Sequence, residues 1–213
     1  MAKQTWRPGT MVYPAPAAMV SVADREGNTD IITAAWTGNI CSDPAMAYVS
    51  VRPERFSYHM IEETGCFVIN LTTKALAKAT DYCGVRSGRD VDKWKETGLT
   101  PEPAEHIPAP MIKESPVNIE CKVVNRLDLG THTMFIGTVL AVHVDEAYMD
   151  KKGKFDLTST GLMAYAHGEY LELGKKIGTF GFSVKKKTTG RKAKPSGKRE
   201  RKNDEYRSRK EKK

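Results

Sequence analysis

The body of this chain is a succession of short, β-branched apolar segments separated by turn residues, and this pattern restricts the fold more than any other feature. Four segments have the length and residue types of single strands; they lie at 18–23, 31–36, 46–51 and 66–71. Two longer segments, 117–127 and 133–144, flank a Gly-containing loop and predict a long hairpin. The pattern therefore indicates a protein with about six strands.

Three short helices are predicted between these strands. One begins soon after Pro53 and ends at Gly65, a second covers 74–83, and a third follows Asp90 as its candidate N-cap. The segment 100–116 holds five prolines, which predicts an extended connection. Strands with short helices inserted between them place the chain in the mainly β class, as a closed or nearly closed antiparallel barrel.

Charge divides the chain into a body and a tail. Residues 185–213 hold 15 of the 34 Lys and Arg residues but 4 of the 26 Asp and Glu, a net charge of +11, which leaves −3 for residues 1–184. A segment this polar cannot bury enough apolar surface to offset its ordering entropy, so 185–213 is predicted to be a disordered tail and 1–184 a folded domain. The tail is either a solvated appendage or a weak contact for nucleic acid or another polyanion.

Several function classes lack sequence support. The chain has neither a G-x-G-x-x-G fingerprint nor a P-loop, neither an H-E-x-x-H motif nor a G-x-S-x-G elbow, and its five histidines are dispersed, so we expect no metal site. It has no apolar run long enough to span a membrane and no apolar segment of a secretory signal, which predicts a cytoplasmic protein. The four cysteines form no C-x-x-C pair and are expected to be reduced thiols.

Four phrases together resemble those of the flavin reductase-like FMN-binding split-barrel family, and in particular its flavoredoxin-like members. They are TAAWTGNICSDP at 33–44, VSVRPERFS at 49–57, CGVRSGRDVDKW at 83–94 and GTHTMFIG at 130–137. The similarity runs from about residue 14 to 184. It implies a six-stranded Greek-key split barrel with short helices, acting as a homodimer that binds FMN in a groove at the subunit interface.

The resemblance also implies cofactor contacts. Along the flavin ring it places Ala35, Trp36, Thr37, Gly38, Asn39 and Ile40. At the phosphate end it places Ser50, Arg52, Arg55 and Ser57, and over the flavin it places a loop containing Ser87 and Lys93. By the same resemblance His132 lies on the nicotinamide side and is the one candidate catalytic residue.

Each of these residues also has a structural interpretation that the sequence leaves open. Arg52 and Arg55 are either phosphate ligands or surface residues at a strand end and a helix start. Trp36 either walls the flavin or belongs to a core or an interface, and Lys93 is either a cofactor contact or an exposed helix lysine. His132 either guides the nicotinamide or bonds the backbone of its turn.

The function implied is that of an oxidoreductase that passes electrons from NAD(P)H through FMN to an acceptor. Flavin carries this chemistry itself, which agrees with the absence of a nucleophile–base constellation. Two alternatives stay open: a non-enzymatic FMN electron carrier, and a protein that binds a polyanion through 185–213. The sequence does not decide whether NADH or NADPH is the electron donor, or whether FMN or FAD is preferred. It also leaves open the identity of the acceptor and whether flavin is a substrate or a fixed cofactor.

Overall fold

The computed structural model describes residues 1–185, so the predicted disorder of the tail concerns residues that lie almost wholly outside this range. The described residues divide into two units, Met1–Gly174 and a second that begins at Lys175. In the second unit, residues 180–184 form turns, and the N–H of Phe182 donates to the carbonyl of Thr179 at 2.9 Å. No helix within residues 1–185 is long and apolar enough to cross a membrane.

The first unit is built mainly from strands. In chain order they are β1 (Ala15–Pro16), β2 (Ala18–Ala23), β3 (Thr29–Ala34), β4 (Thr37–Ser42), β5 (Ala45–Val51), β6 (Cys66–Asn70), β7 (Pro101–Glu102), β8 (Met111–Ile112), β9 (Val117–Asp128), β10 (Thr133–Val144), β11 (Met163–Ala166) and β12 (Glu169–Glu172). Seven of them form one antiparallel sheet in the order β3-β2-β6-β9-β10-β5-β4. The edge strands β3 and β4 do not pair with each other, so the sheet stays split. The predicted mainly β split-barrel class is confirmed.

The sheet differs from the prediction at β4. The predicted strand 31–36 ends at Ala34 as β3, and the chain then turns through two residues into β4, which pairs with β5. Two smaller sheets, β1-β11-β12 and β7-β8, were also not predicted. Their strands are only two to four residues long, which is too short for a period of two to become visible in the sequence.

Three α-helices connect the strands, namely α1 (Phe56–Thr64), α2 (Ala77–Val85) and α3 (Lys93–Thr97). Helix α1 ends at Gly65, whose φ of 65° lies in the left-handed region that glycine adopts without strain. The N-cap prediction for α3 was wrong by two residues. Asp92, and not Asp90, accepts the N–H of Lys95 at 3.2 Å, because the turn at 87–91 delays the start of the helix.

The core lies on both faces of β2. Its Val20 and Val22 point into the barrel with Phe67 and Phe135, whereas Met19 faces α2 and α3. All six residues of β2 are buried, which explains why five of them are apolar and the sixth is the small Ser21, with no charged residue in the segment. The helices therefore cover the sheet on one side, and the strand ends beyond them remain open.

Candidate functional site

A groove of about 480 Å³ opens where β3 ends, between the β5–α1 turn, helix α2 and the β11–β12 hairpin. Its volume lies in the range of small-molecule sites. Six of the residues predicted to contact the cofactor or to act in catalysis line it, namely Ala35, Trp36, Ser50, Arg52, Arg55 and His132. They come from separate parts of the chain, and the fold brings them to one rim.

Trp36 forms a flat wall of the groove because β3 ends at Ala34 and the chain crosses over to β4. Its carbonyl accepts the N–H of Ser50 at 2.8 Å, which fixes the crossing against the end of β5. The indole is 37% exposed and stacks on the imidazole of His132, with ring centroids 6.1 Å apart and planes only 5° apart. Two parallel aromatic rings thus border the groove.

His132 lies in the loop between β9 and β10. The N–H of Leu129 donates to its carbonyl at 2.8 Å, and its Nδ1 lies 2.9 Å from the hydroxyl oxygen of Thr131. Burial, followed by the positive charge of Arg52, lowers the pKa of His132 below its ordinary value of 6.5. The imidazole is therefore mostly neutral near pH 7, which favours hydrogen bonding over a charge contact.

The two arginines of the β5–α1 turn supply positive charge at the rim. Arg52 pairs with Glu54 at 2.7 Å, and both side chains are more than half exposed. Arg55 precedes α1 as its N-cap and donates from Nη2 to the carbonyl of Gly84 at 2.5 Å. Helix α1 has neither a side-chain cap nor an acidic residue in its first turn. This turn can therefore attract an anion through guanidinium groups and free helix N–H groups.

Four of the predicted ring contacts do not line the groove. They are the β4 residues Thr37, Gly38, Asn39 and Ile40. Thr37 is buried and donates to the carbonyl of Tyr48 at 2.6 Å. Asn39 and Ile40 are exposed along the free edge of the split sheet. The strand thus leads away from the rim of the groove after Trp36.

Three other predicted contacts lie on the far side of α1 and α2. Ser57 and Lys93 are buried around the carboxylate of Asp30. Ser57 donates to it at 2.5 Å, and Lys93 lies 3.1 Å from Oδ1 while also donating to the carbonyl of Ile31 at 2.5 Å. Ser87 accepts the N–H of Arg89 at 3.2 Å in the loop above them.

Gly88 shows why that loop can cover the buried carboxylate. A Cβ at this position would lie 2.4 Å from the ring of Phe56 and 2.6 Å from the carboxylate of Asp30. Only glycine lets the backbone approach this closely. The Ser57–Lys93–Asp30 cluster is thus closed off from the groove, and its polar groups are used within the protein.

Sequence reasoning missed Asp81 and Gly84 of α2, which also line the groove. Tyr165 and Tyr170 of the last hairpin line it as well, and the signal in the sequence is the aromatic-rich stretch 165–170, which could reach toward the flavin. Asp81 had no signal, because an acidic residue on an exposed helix face is the ordinary case.

The fold is that of a split-barrel protein. A model of the flavin reductase like domain matches residues 10–174, and the chain belongs to this family. An uncharacterized protein of Pyrococcus abyssi is 30% identical over 168 residues, which cover 78% of this chain and 95% of that protein.

Solved structures agree with this assignment. The flavoredoxin of Desulfovibrio vulgaris (Miyazaki F) has a TM-score of 0.80 and 34% identity, covering 86% of this chain and all of that one. A flavoredoxin of Methanosarcina acetivorans has a TM-score of 0.77 and 27% identity, covering 87% of this chain and all of that one. The FMN-binding protein of Thermus thermophilus has a TM-score of 0.69 and 25% identity over 84% of this chain and 98% of its own.

Proposed function

We propose that this protein binds FMN in the groove and passes electrons from NAD(P)H through the flavin to an acceptor, as a flavin reductase or a flavoredoxin-like oxidoreductase. The observation that carries the proposal is the stacked pair of Trp36 and His132 on one groove with the arginine-bearing β5–α1 turn. A planar ring suits the first feature, and a phosphate monoester suits the second.

Different residues of the rim would bind different parts of the cofactor. Arg52 and Arg55 would hold the phosphate, with the hydroxyl of Ser50 beside them. Trp36 would support the ring. The bound flavin itself supplies the redox chemistry, accepting hydride and releasing electrons.

His132 is proposed to orient the nicotinamide, in keeping with the family resemblance. Its lowered pKa keeps the ring neutral, so one nitrogen can donate and the other can accept a hydrogen bond. A neutral ring also adds no positive charge beside Trp36, where a cationic nicotinamide would form on hydride transfer.

The proposal is tested by the absorbance spectrum of the purified protein before and after addition of NADH or NADPH. We expect flavin bands that bleach on addition of one of the nicotinamides. A protein that stays colourless after incubation with FMN would contradict the proposal.

A second candidate, a non-enzymatic FMN carrier, is favoured by the similarity to two flavoredoxins. Both candidates use the same groove, so steady-state oxidation of NAD(P)H separates them. A flavin that dithionite reduces fully, while NAD(P)H turnover stays at the background rate, would favour the carrier.

We also propose that the protein is a homodimer. Strands β9 and β10 expose several large apolar side chains, and Ile40 is exposed on the free edge of β4; the β9 and β10 residues are Val124, Leu127, Leu140 and Val142. Exposed apolar residues on this part of the sheet suit a contact surface, and two-fold pairing is the commonest soluble assembly. Light scattering should give the mass of two chains, and Val142→Asp should shift it toward one, whereas Val12→Asp, at an exposed position ahead of β1 and outside the groove, should not.

A further inference from the structure

The last hairpin gives the groove a second aromatic wall. Tyr165 on β11 and Tyr170 on β12 stand directly opposite each other, and their ring centroids are 5.8 Å apart at 61°. Tyr13 supports Tyr165 from the N-terminal segment at 6.0 Å. Because Tyr165 and Tyr170 both line the groove and are half-buried, a planar ligand can contact them without a large change of the protein.

A carboxylate stands beside this wall. Asp81 of α2 lines the same groove next to Tyr170 and is exposed. Burial, followed by the charge of Asp81, raises the pKa of Tyr170 to about 12, so the phenol remains protonated at all physiological pH values. Within residues 1–185, Asp81 forms no salt bridge with a basic side chain.

The groove therefore carries both signs of charge. The guanidinium groups of Arg52 and Arg55 come from the β5–α1 turn, where the carboxylate of Glu54 also lines the groove and pairs with Arg52, whereas the carboxylate of Asp81 comes from α2. An anionic group is favoured beside the arginines and disfavoured beside Asp81. A ligand that lies against the tyrosines therefore meets two phenols and the carboxylate of Asp81. Within residues 1–185, no basic side chain neutralises this carboxylate through a salt bridge.

We propose that Tyr165, Tyr170 and Asp81 form the subsite for the second substrate, and that this substrate is a planar aromatic compound without negative charge. The tyrosines contact its ring, and Asp81 selects a neutral or cationic compound over an anionic one. This inference rests on the proposed function, because the compound exchanges electrons with flavin in the same groove.

A quinone is a suitable probe for this subsite. Oxidation of the fully reduced flavin by a quinone moves two electrons and two protons: the flavin returns to its oxidised form and the quinone becomes a hydroquinone. A proton taken from solvent completes the balance when the reduced flavin is anionic. The step needs no co-reactant beyond the flavin and the quinone.

The first test compares 1,2-naphthoquinone with its 4-sulfonate, which has the same rings and one negative charge. The FMN-loaded protein is reduced with stoichiometric dithionite without oxygen, and its reoxidation by each compound is followed by stopped flow. Asp81→Asn should raise the rate ratio of sulfonate to neutral quinone about fivefold, the factor for removing a unit charge about 4 Å away in water. Glu96→Gln, an exposed helix carboxylate outside the groove, should leave the ratio unchanged.

The second test measures binding without turnover. The oxidised FMN-loaded protein is titrated with 2-naphthol and with 2-naphthoate, and perturbation of the flavin spectrum gives each Kd. Tyr170→Ala should weaken 2-naphthol about fivefold, Tyr170→Phe should change it less than twofold, and Asp81→Asn should strengthen 2-naphthoate about fivefold.

The outcomes distinguish this subsite from the proposed function. If Asp81→Asn and Tyr170→Ala bind FMN normally but leave the rate ratio and both Kd values within twofold of the parent, the subsite assignment is wrong while the flavin groove stands. If the parent protein binds no FMN, the proposed function fails and this inference fails with it.

Discussion

Two regions of this protein contain the same kind of side chains and use them differently. The rim of the groove holds hydroxyl and cationic groups in Ser50, Arg52 and Arg55, and the cluster behind α1 holds them in Ser57 and Lys93. The sequence motif predicts both as cofactor contacts. The structure opens the first set to the groove and closes the second around Asp30.

The difference comes from one buried carboxylate. A charge removed from water needs a partner and further hydrogen bonds, and Asp30 takes these from Lys93 and Ser57. Among residues 1–185, the side chains of these arginines have only the exposed Glu54 and a backbone carbonyl as partners. A cation near a hydroxyl in a sequence therefore indicates a ligand site only when the fold places no buried carboxylate beside it.

The largest effect is expected from Lys93→Met. The substitution keeps most of the side-chain volume but leaves Asp30 buried without its cation, which should lower the free energy of unfolding by about 3–5 kcal/mol. Urea denaturation checks this value. Lys95→Met, two residues along α3 on its exposed face, should change it by less than about 0.5 kcal/mol. Equal effects of the two substitutions would show that Asp30 does not depend on Lys93.

Arg52→Gln should act in the opposite way, on binding and not on stability. The side chain is half exposed and its pair with Glu54 is a surface ion pair, so unfolding should shift by less than about 1 kcal/mol. Loss of a charge-assisted contact should raise the Kd for FMN about tenfold, or about 1.4 kcal/mol. Isothermal titration with FMN gives the result, and Arg25→Gln in the exposed β2–β3 turn is the matched control. An unchanged Kd would remove Arg52 from the site.

The pH response of His132 is the smallest expected effect and probes the same rim. Because burial and Arg52 lower its pKa below 6.5, Arg52→Gln should raise the pKa, whereas Arg25→Gln should not. An NMR titration of the imidazole protons gives both values. If His132 titrates above 6.5 in the parent protein, the electrostatic account of the rim is wrong.

The sign of the stability change follows from the same shift. Between the lowered pKa of folded His132 and its ordinary value, the unfolded chain binds more protons than the folded one. The contribution of His132 to stability therefore falls as pH is lowered through this interval, and it is constant above 6.5. The imidazole is only half-buried, so we expect a small effect, measured as the difference between the parent and His132→Asn in urea midpoints at several pH values.

The main sheet could be predicted because its strands are long and strongly apolar. Strand β2 and the 133–144 strand of the hairpin were predicted with the bounds that the structure has. Strand β4 could not be separated from β3, since no breaker lies between Ala34 and Thr37 in the sequence. The hairpin β11–β12 has four residues per strand and becomes recognisable only through its pairing with β1.

The site could be predicted only in part, for a similar reason. The resemblance located Trp36, Arg52 and His132, which the fold brings to one rim. The burial of Lys93 depends on Asp30, which lies 63 residues earlier, and no local pattern links two residues so far apart. Asp81 gains its position only from the placement of α2 against the end of β3.

The central claim is that FMN lies in the groove with its ring against Trp36, and a crystal structure of the protein grown with FMN tests it directly. We predict the ring in contact with the indole and the phosphate within hydrogen-bond distance of Arg52 or Arg55. Density for FMN at another place, or a groove filled by the protein's own side chains, would contradict the account.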